Sequence, residues 1–124
     1  MHFGGWKVKF AYNNSLPIWE QLVKQLKEYI VTGQYPAGGG FPPVRELAAE
    51  AGVNPNTMQR ALVRLEEEGL LITNRTAGRT VTDDLEVLEK IRKSLARECT
   101  KQYLADLHAL GYSAKDAEDF IKEG

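Results

Sequence analysis

Between residues 45 and 79 lies a group of side chains suited to gripping a surface rich in phosphates and hydrogen-bonding edges. They are Arg45, then Asn54, Asn56, Thr57, Gln59 and Arg60, then Arg75, Thr76, Gly78 and Arg79. Asparagine and glutamine can pair bidentately with adenine, and arginine does so with guanine. Threonine can bond a phosphate oxygen. On a helix, Asn56, Thr57, Gln59 and Arg60 point away from an apolar stripe of Met58, Ala61, Leu62 and Leu65. Polar residues on a helix face are most often merely solvated, so the charge pattern carries the argument. Arg60 and Arg64 stand four apart, where like charges cost about 0.2–0.5 kcal/mol. Glu68 offsets Arg64, whereas Arg60 has less obvious compensation, which favours an external anion for it. Arg45 sits where a helix starts, and a cation there opposes the helix dipole. Glu46 and Glu50 soften that conflict, and a nearby phosphate would remove it. Asn54 has two uses, as a helix cap or as a contact, and both stay open. The tip Asn74–Arg79 carries two arginines and no acid. Such a tip suits the minor groove, whose negative potential attracts arginine.

Other chemistry is poorly supplied. His2 and His108 are far apart and Cys99 is the sole cysteine, so no metal-ligand spacing exists. Gly38-Gly39-Gly40 is not followed by the Gly-Lys-Ser/Thr of a phosphate loop. No Ser/His/Asp pattern has supporting context. The expectation is no catalysis, no metal and no cofactor. Glu66-Glu67-Glu68 reads as a solvated helix end, and Trp6, Trp19 and Tyr12 as core residues.

The elements that must hold these side chains follow from periodicity. Trp6, Val8, Phe10 and Tyr12 alternate with Lys7 and Lys9, which predicts a half-buried strand over 6–12. Ser15 is the expected N-cap of a first helix, with Pro17 in its first turn. Ile18, Leu22, Leu26, Tyr29 and Ile30 form its stripe, and it ends near Thr32-Gly33. Residues 35–40 are a loop. A second helix runs from Pro43 to about Glu50, and Gly52 supplies the left-handed position that ends it. Asn54-Pro55 opens the third helix and Gly69 stops it. Leu70–Asn74 and Arg79–Thr82 make a hairpin around Thr76-Ala77-Gly78. Two helices joined by Ala51-Gly52-Val53 and followed by a ribbon form the plan of a winged helix-turn-helix, which usually enters the DNA major groove.

A second unit begins near Asp83-Asp84. Leu85, Leu88, Ile91, Leu95, Cys99, Tyr103, Leu107 and Leu110 recur along one helix that nothing breaks before Gly111. Its length is roughly 40 Å at 1.5 Å per residue. The segment after it, Ser113 to Lys122, is too short to cover the whole stripe. Ser113 and Asp116 resemble a capping box at its start. The expected architecture is therefore mainly α with a small β component. A winged helix-turn-helix DNA-binding domain spans 1–83, and a short α-helical dimerisation tail spans 84–124. Leu88, Ile91, Leu95, Cys99, Tyr103 and Leu107 would be buried against a second copy in a homodimer.

Composition permits this and excludes little. The chain has 124 residues, 43% hydrophobic and 27% charged, with a net charge of −1. Residues 1–83 hold nine Lys/Arg against eight Asp/Glu, so affinity for double-stranded DNA must come from locally grouped arginines. No apolar run is long enough to cross a bilayer, and the N-terminus lacks the layout of a secretory signal. With one cysteine, a reducing, cytoplasmic setting is the simplest expectation.

Leu16-Pro17-Ile18-Trp19-Glu20-Gln21-Leu22 resembles the opening of the GntR-type regulators. Phe41-Pro42-Pro43-Val44-Arg45-Glu46-Leu47-Ala48 is similar to their second helix. Val53-Asn54-Pro55-Asn56-Thr57 and Leu65-Glu66-Glu67-Glu68-Gly69-Leu70-Leu71 are similar to their recognition helix and its exit. The tail, with Leu110-Gly111-Tyr112-Ser113, resembles the YtrA subfamily. The resemblance implies a homodimeric bacterial transcription regulator, usually a repressor, on an inverted-repeat operator. It implies DNA contacts for Arg45 and Thr57, and places Gly78 in the wing. The pattern departs at Pro55 and Gln59, where many members carry arginine, which implies a different operator. The chain also lacks the large effector domain of most subfamilies, so any small-molecule effector would sit within or between the tail helices. The rival reading from the residues is a winged-helix protein-interaction module without DNA binding.

Overall fold

The computed structural model describes residues 8–76 and 78–124. The elements run α1 (Ile18–Val31), α2 (Val44–Ala51), α3 (Pro55–Glu67), β1 (Leu71–Asn74), β2 (Gly78–Val81), α4 (Leu85–Ala109) and α5 (Ala114–Glu123). Local signals explain most of these boundaries. Gly52 adopts φ +70°, a conformation that side chains with a Cβ rarely take, and so ends α2. Asn54 accepts a hydrogen bond from the Asn56 amide at 2.8 Å, and Pro55 opens α3 with the φ that a helix requires. Met58, Ala61, Leu62 and Leu65 are all fully buried. They make α3 the central helix, packed against α1, α2 and β1. Leu22, Leu26, Leu47, Leu70 and Val81 complete the core around it.

The sheet is antiparallel, with Leu71 opposite Val81 and Asn74 opposite Gly78. The glycine-rich loop adds a partial third edge. Gly40 bridges Thr80, the Phe41 amide donates to the Arg79 carbonyl at 2.9 Å, and the Val81 amide donates to the Gly39 carbonyl at 2.9 Å. Tyr35, in the same loop, is buried and meets Phe41 at a tilt, with ring centroids 4.8 Å apart. Burial pushes its phenol well above its ordinary pKa.

Two expectations at the N-terminus need correction. Residues 8–12 are not a strand, although Val8, Phe10 and Tyr12 do turn inward in alternation. The backbone here is paired with helix side chains instead. The Gln21 side chain accepts from the Asn13 amide at 2.9 Å and donates to its carbonyl at 2.8 Å. Gln25 does the same for Ala11, at 3.0 and 2.7 Å. The Tyr29 hydroxyl accepts from the Lys9 amide and donates to its carbonyl. Two extended residues advance about 6.6 Å, and four helical residues about 6 Å. Side chains at every fourth position of α1 therefore meet every second residue of the segment, and a neighbouring strand is not needed. Trp6 and Lys7, also assigned to that strand, lie outside the described residues. The second correction is the cap of α1. Pro17, not Ser15, is the N-cap residue, and Ser15 is turned back onto Asn13.

The chain divides into compact units Met1–Ile91 and Arg92–Gly124, with the boundary inside α4. Val87, Leu88 and Ile91 pack against the core of the first unit. In the second unit, Ser113 and Asp116 form the capping box of α5. Ala117 is buried, and the Tyr103 hydroxyl donates to its carbonyl at 3.2 Å. Tyr112 and Phe120 meet edge to face, 5.0 Å between centroids.

Candidate nucleic-acid interface

The face of α3 opposite its buried stripe is built by residues 56, 60, 63 and 67, spaced four, three and four apart. Asn56, Arg60, Val63 and Glu67 are all exposed there. Gln59 flanks this face on the side of the hairpin and is exposed; Thr57 flanks it on the side of α1 and is half-buried. Arg45 is exposed in the first turn of α2, whose N-cap Pro43 provides no side-chain hydrogen bond to the helix amides. Arg75, Thr76 and Gly78 are exposed at the hairpin tip, with Gly78 at φ +71°. Ala77 of that turn lies outside the described residues. Three elements thus present the side chains that sequence grouped together. Asn54 is committed in part, since its Oδ1 holds the helix cap and only its amide N–H pair is left to donate.

Arg79 departs from expectation. The acid missing from the tip comes from α3: Glu66 Oε1 lies 2.9 Å from the Arg79 guanidinium, and its other oxygen accepts from the Thr73 hydroxyl. Arg79 also approaches Gln59 Oε1 at 3.5 Å. Its side chain is only 17% exposed, so it fastens the hairpin to α3. The acidic run is therefore not simply solvated. Glu68 pairs with Lys27 of α1 at 2.8 Å and, as the spacing predicted, with Arg64 at 3.1 Å.

These pairs make stability depend on acid. Burial alone would raise the Glu66 carboxyl, but hydrogen bonds from Thr73 and Arg79 and the Arg79 charge outweigh it and hold its pKa below 4.5. For Glu68, burial is likewise outweighed by Lys27 and Arg64. A carboxylate lowered in the folded state stabilises it above the unfolded pKa, and that contribution is lost as pH falls through the folded value. The melting temperature should therefore fall as the pH drops below the ordinary carboxylate pKa of 4.5. Glu66→Gln should be less stable at neutral pH and less sensitive to acid. An unchanged pH dependence in thermal melts of that variant would contradict the assignment.

The model of the bacterial regulatory proteins of the gntR family matches residues 18–81, which run from the start of α1 to the end of β2. The chain belongs to the gntR family. It is a DNA-binding transcription regulator, and the interaction module without DNA binding is set aside. The HTH-type transcriptional repressor YtrA of Bacillus subtilis is 34% identical over 111 residues, covering 89% of this chain and 85% of that protein. A GntR family transcriptional regulator from Listeria monocytogenes is 34% identical, with a TM-score of 0.80 over 91% of this chain and 99% of its own. The DNA-binding domain of AraR, solved in complex with an operator, has a TM-score of 0.55 over 61% of this chain and 98% of its own; at 22% identity this likeness speaks for the fold. The fold expected from sequence, mainly α with a small antiparallel sheet, stands. Among the described residues no helix is long and apolar enough to cross a membrane.

In this gntR-family chain, sequence reasoning missed two residues at the outward surface, one on α3 and one on α1. Val63, 41% exposed on the outward face, offers an apolar contact of the kind that meets a thymine methyl. Its signal was available, since it falls in register with Asn56 and Arg60. Trp19 was assigned to the core. It is half-buried against the core, and the Arg60 guanidinium also lies over its ring, 4.3 Å from the centroid. On α4, Leu88 and Ile91 are half-buried by the first unit itself. Leu95, Tyr103 and Leu107 are half-buried and Cys99 is exposed.

Proposed function

We propose that this chain is a repressor that binds an inverted-repeat operator as a homodimer in the cytoplasm. The outward face of α3 carries the reading: an exposed asparagine, arginine and valine in one register, the residue types that address base edges. Asn56, Gln59 and Arg60 act on bases, and Thr57 on phosphate. The Asn54 amide donates to the backbone beside them. Arg45 meets a phosphate at the uncapped start of α2, where the amides also favour an anion. Arg75, Thr76 and Gly78 form the tip that follows the minor groove, and Arg79 holds that tip in place. The tail joins two copies through Leu95, Cys99, Tyr103 and Leu107, with Leu88 and Ile91 at the edge. The name of the Bacillus subtilis relative, a transcriptional repressor, supports repression here. An effector, where one acts, would sit within the tail.

Selection from a pool of random duplexes tests this. The expected product is one half-site motif repeated in inverted orientation, with centres separated by whole helical turns. Recovery of single, unpaired motifs would contradict the dimer, and recovery of no preferred motif would contradict the reading of bases by α3.

A further inference from the structure

We infer that Trp19 is a positioning residue for DNA recognition: its ring is a floor that holds the Arg60 guanidinium in place before DNA arrives. The inference rests on the role proposed above for Arg60 and adds a residue of α1 to the reading surface.

Three observations carry it. The guanidinium carbon stands 4.3 Å from the Trp19 ring centroid, within the range where the negative ring face attracts a cation. The ring is itself fixed, since Trp19 packs against the hydrophobic core and α1 packs along α3. Arg60 shares the exposed face of α3 with Asn56 and Val63 and has no acid in its own register on the preceding turn. Other arginines near α3 are held by carboxylates, Arg64 by Glu68 and Arg79 by Glu66. A carboxylate would occupy the N–H donors of a guanidinium. An aromatic ring attracts the cation through its face and offers no carboxylate oxygen to occupy those donors. Trp19 therefore restrains a long side chain without consuming the groups that would pair with guanine. Restraint before binding removes part of the ordering cost of association.

The test separates a positioning role from a structural one. Labelled duplex carrying the selected site is titrated with full-length protein, and affinity is read by fluorescence anisotropy. Fluorinated tryptophan keeps the shape of the ring but withdraws charge from its face, so the fold is not at risk. The analogue enters both tryptophans of the chain, so the same substitution in Arg60→Ala protein isolates the effect on Arg60. Fluorination should weaken binding about two- to fivefold for each half-site when Arg60 is present, and should leave the Arg60→Ala protein unchanged. Trp19→Leu should lose more than the fluorinated protein, and Trp19→Phe should recover most of that loss. Equal losses in both backgrounds would overturn the inference, since Trp19 would then act on the fold alone. No loss with Arg60 present, or a gain, would overturn it too. Arg60→Ala binding as tightly as wild type would overturn the role of Arg60 and this inference with it. Full sensitivity to Arg60→Ala with none to ring charge would overturn the inference alone.

Discussion

Replacing Leu95 and Leu107 together by glutamate is expected to give a monomer that binds the full operator at least about a hundredfold more weakly. α4 is a 25-residue helix with no fully buried residue, yet Leu88, Ile91, Leu95, Cys99, Tyr103 and Leu107 recur along it every three or four residues. An apolar stripe of that kind gains about 25 cal/mol for each square ångström removed from water. Four carboxylates brought together across a symmetric interface would oppose that gain. The loss of affinity follows from linkage. Two half-sites joined in one dimer bind more tightly than either alone by a factor of roughly 10²–10⁴. Light scattering should report a halved mass, and a single half-site should be bound as well by the variant as by wild type. A variant that stays dimeric would reject this interface, and weak binding to the half-site as well would indicate damage to the winged helix.

Arg60→Ala and Arg45→Ala should both weaken binding, but in different ways. A lost bidentate base contact costs about 1–3 kcal/mol for each half-site. For two half-sites the expected loss is roughly thirtyfold to ten-thousandfold, with relaxed preference at one base pair. Arg45→Ala should weaken binding to all duplexes alike and reduce the salt dependence, because a phosphate contact carries no sequence information. Arg79→Ala behaves differently again. It breaks the pair with Glu66, so its main expected effect is lower thermal stability. Arginine variants that all lose the same affinity on every sequence would contradict this division.

Helices with local stop and start signals were legible from sequence. Gly52, the Asn54-Pro55 pair and the Ser113–Asp116 capping box each act within a few residues, so the boundaries of α2, α3 and α5 could be read directly. The buried stripe of α3 was equally plain, because helical period alone selects Met58, Ala61, Leu62 and Leu65. The N-terminal segment was not. Alternation correctly marked which residues turn inward, but a strand also needs a partner, and here Gln21, Gln25 and Tyr29 take the partner's place. The candidate site divides in the same way. Which residues of α3 face outward is a matter of period. Which arginines are already engaged is a matter of packing between distant elements: Arg79 onto Glu66, Arg60 onto Trp19. Neither pairing leaves a mark in local spacing. The assignment of α4 residues shows the same limit, since Leu88 and Ile91 continue the tail stripe but are half-buried by the first unit.

Salt dependence tests the grip on DNA most directly. Wild-type protein is titrated onto its selected duplex at a series of salt concentrations. In the proposed dimer, Arg45 at the start of α2 and Arg75 along the minor groove would together neutralise about four phosphates over two protomers, so the logarithm of the affinity should fall with the logarithm of salt with a slope of about −3 to −4. With a net charge of −1, bulk attraction could not produce that slope. A flat response would mean that these arginines meet no phosphates and would contradict the account.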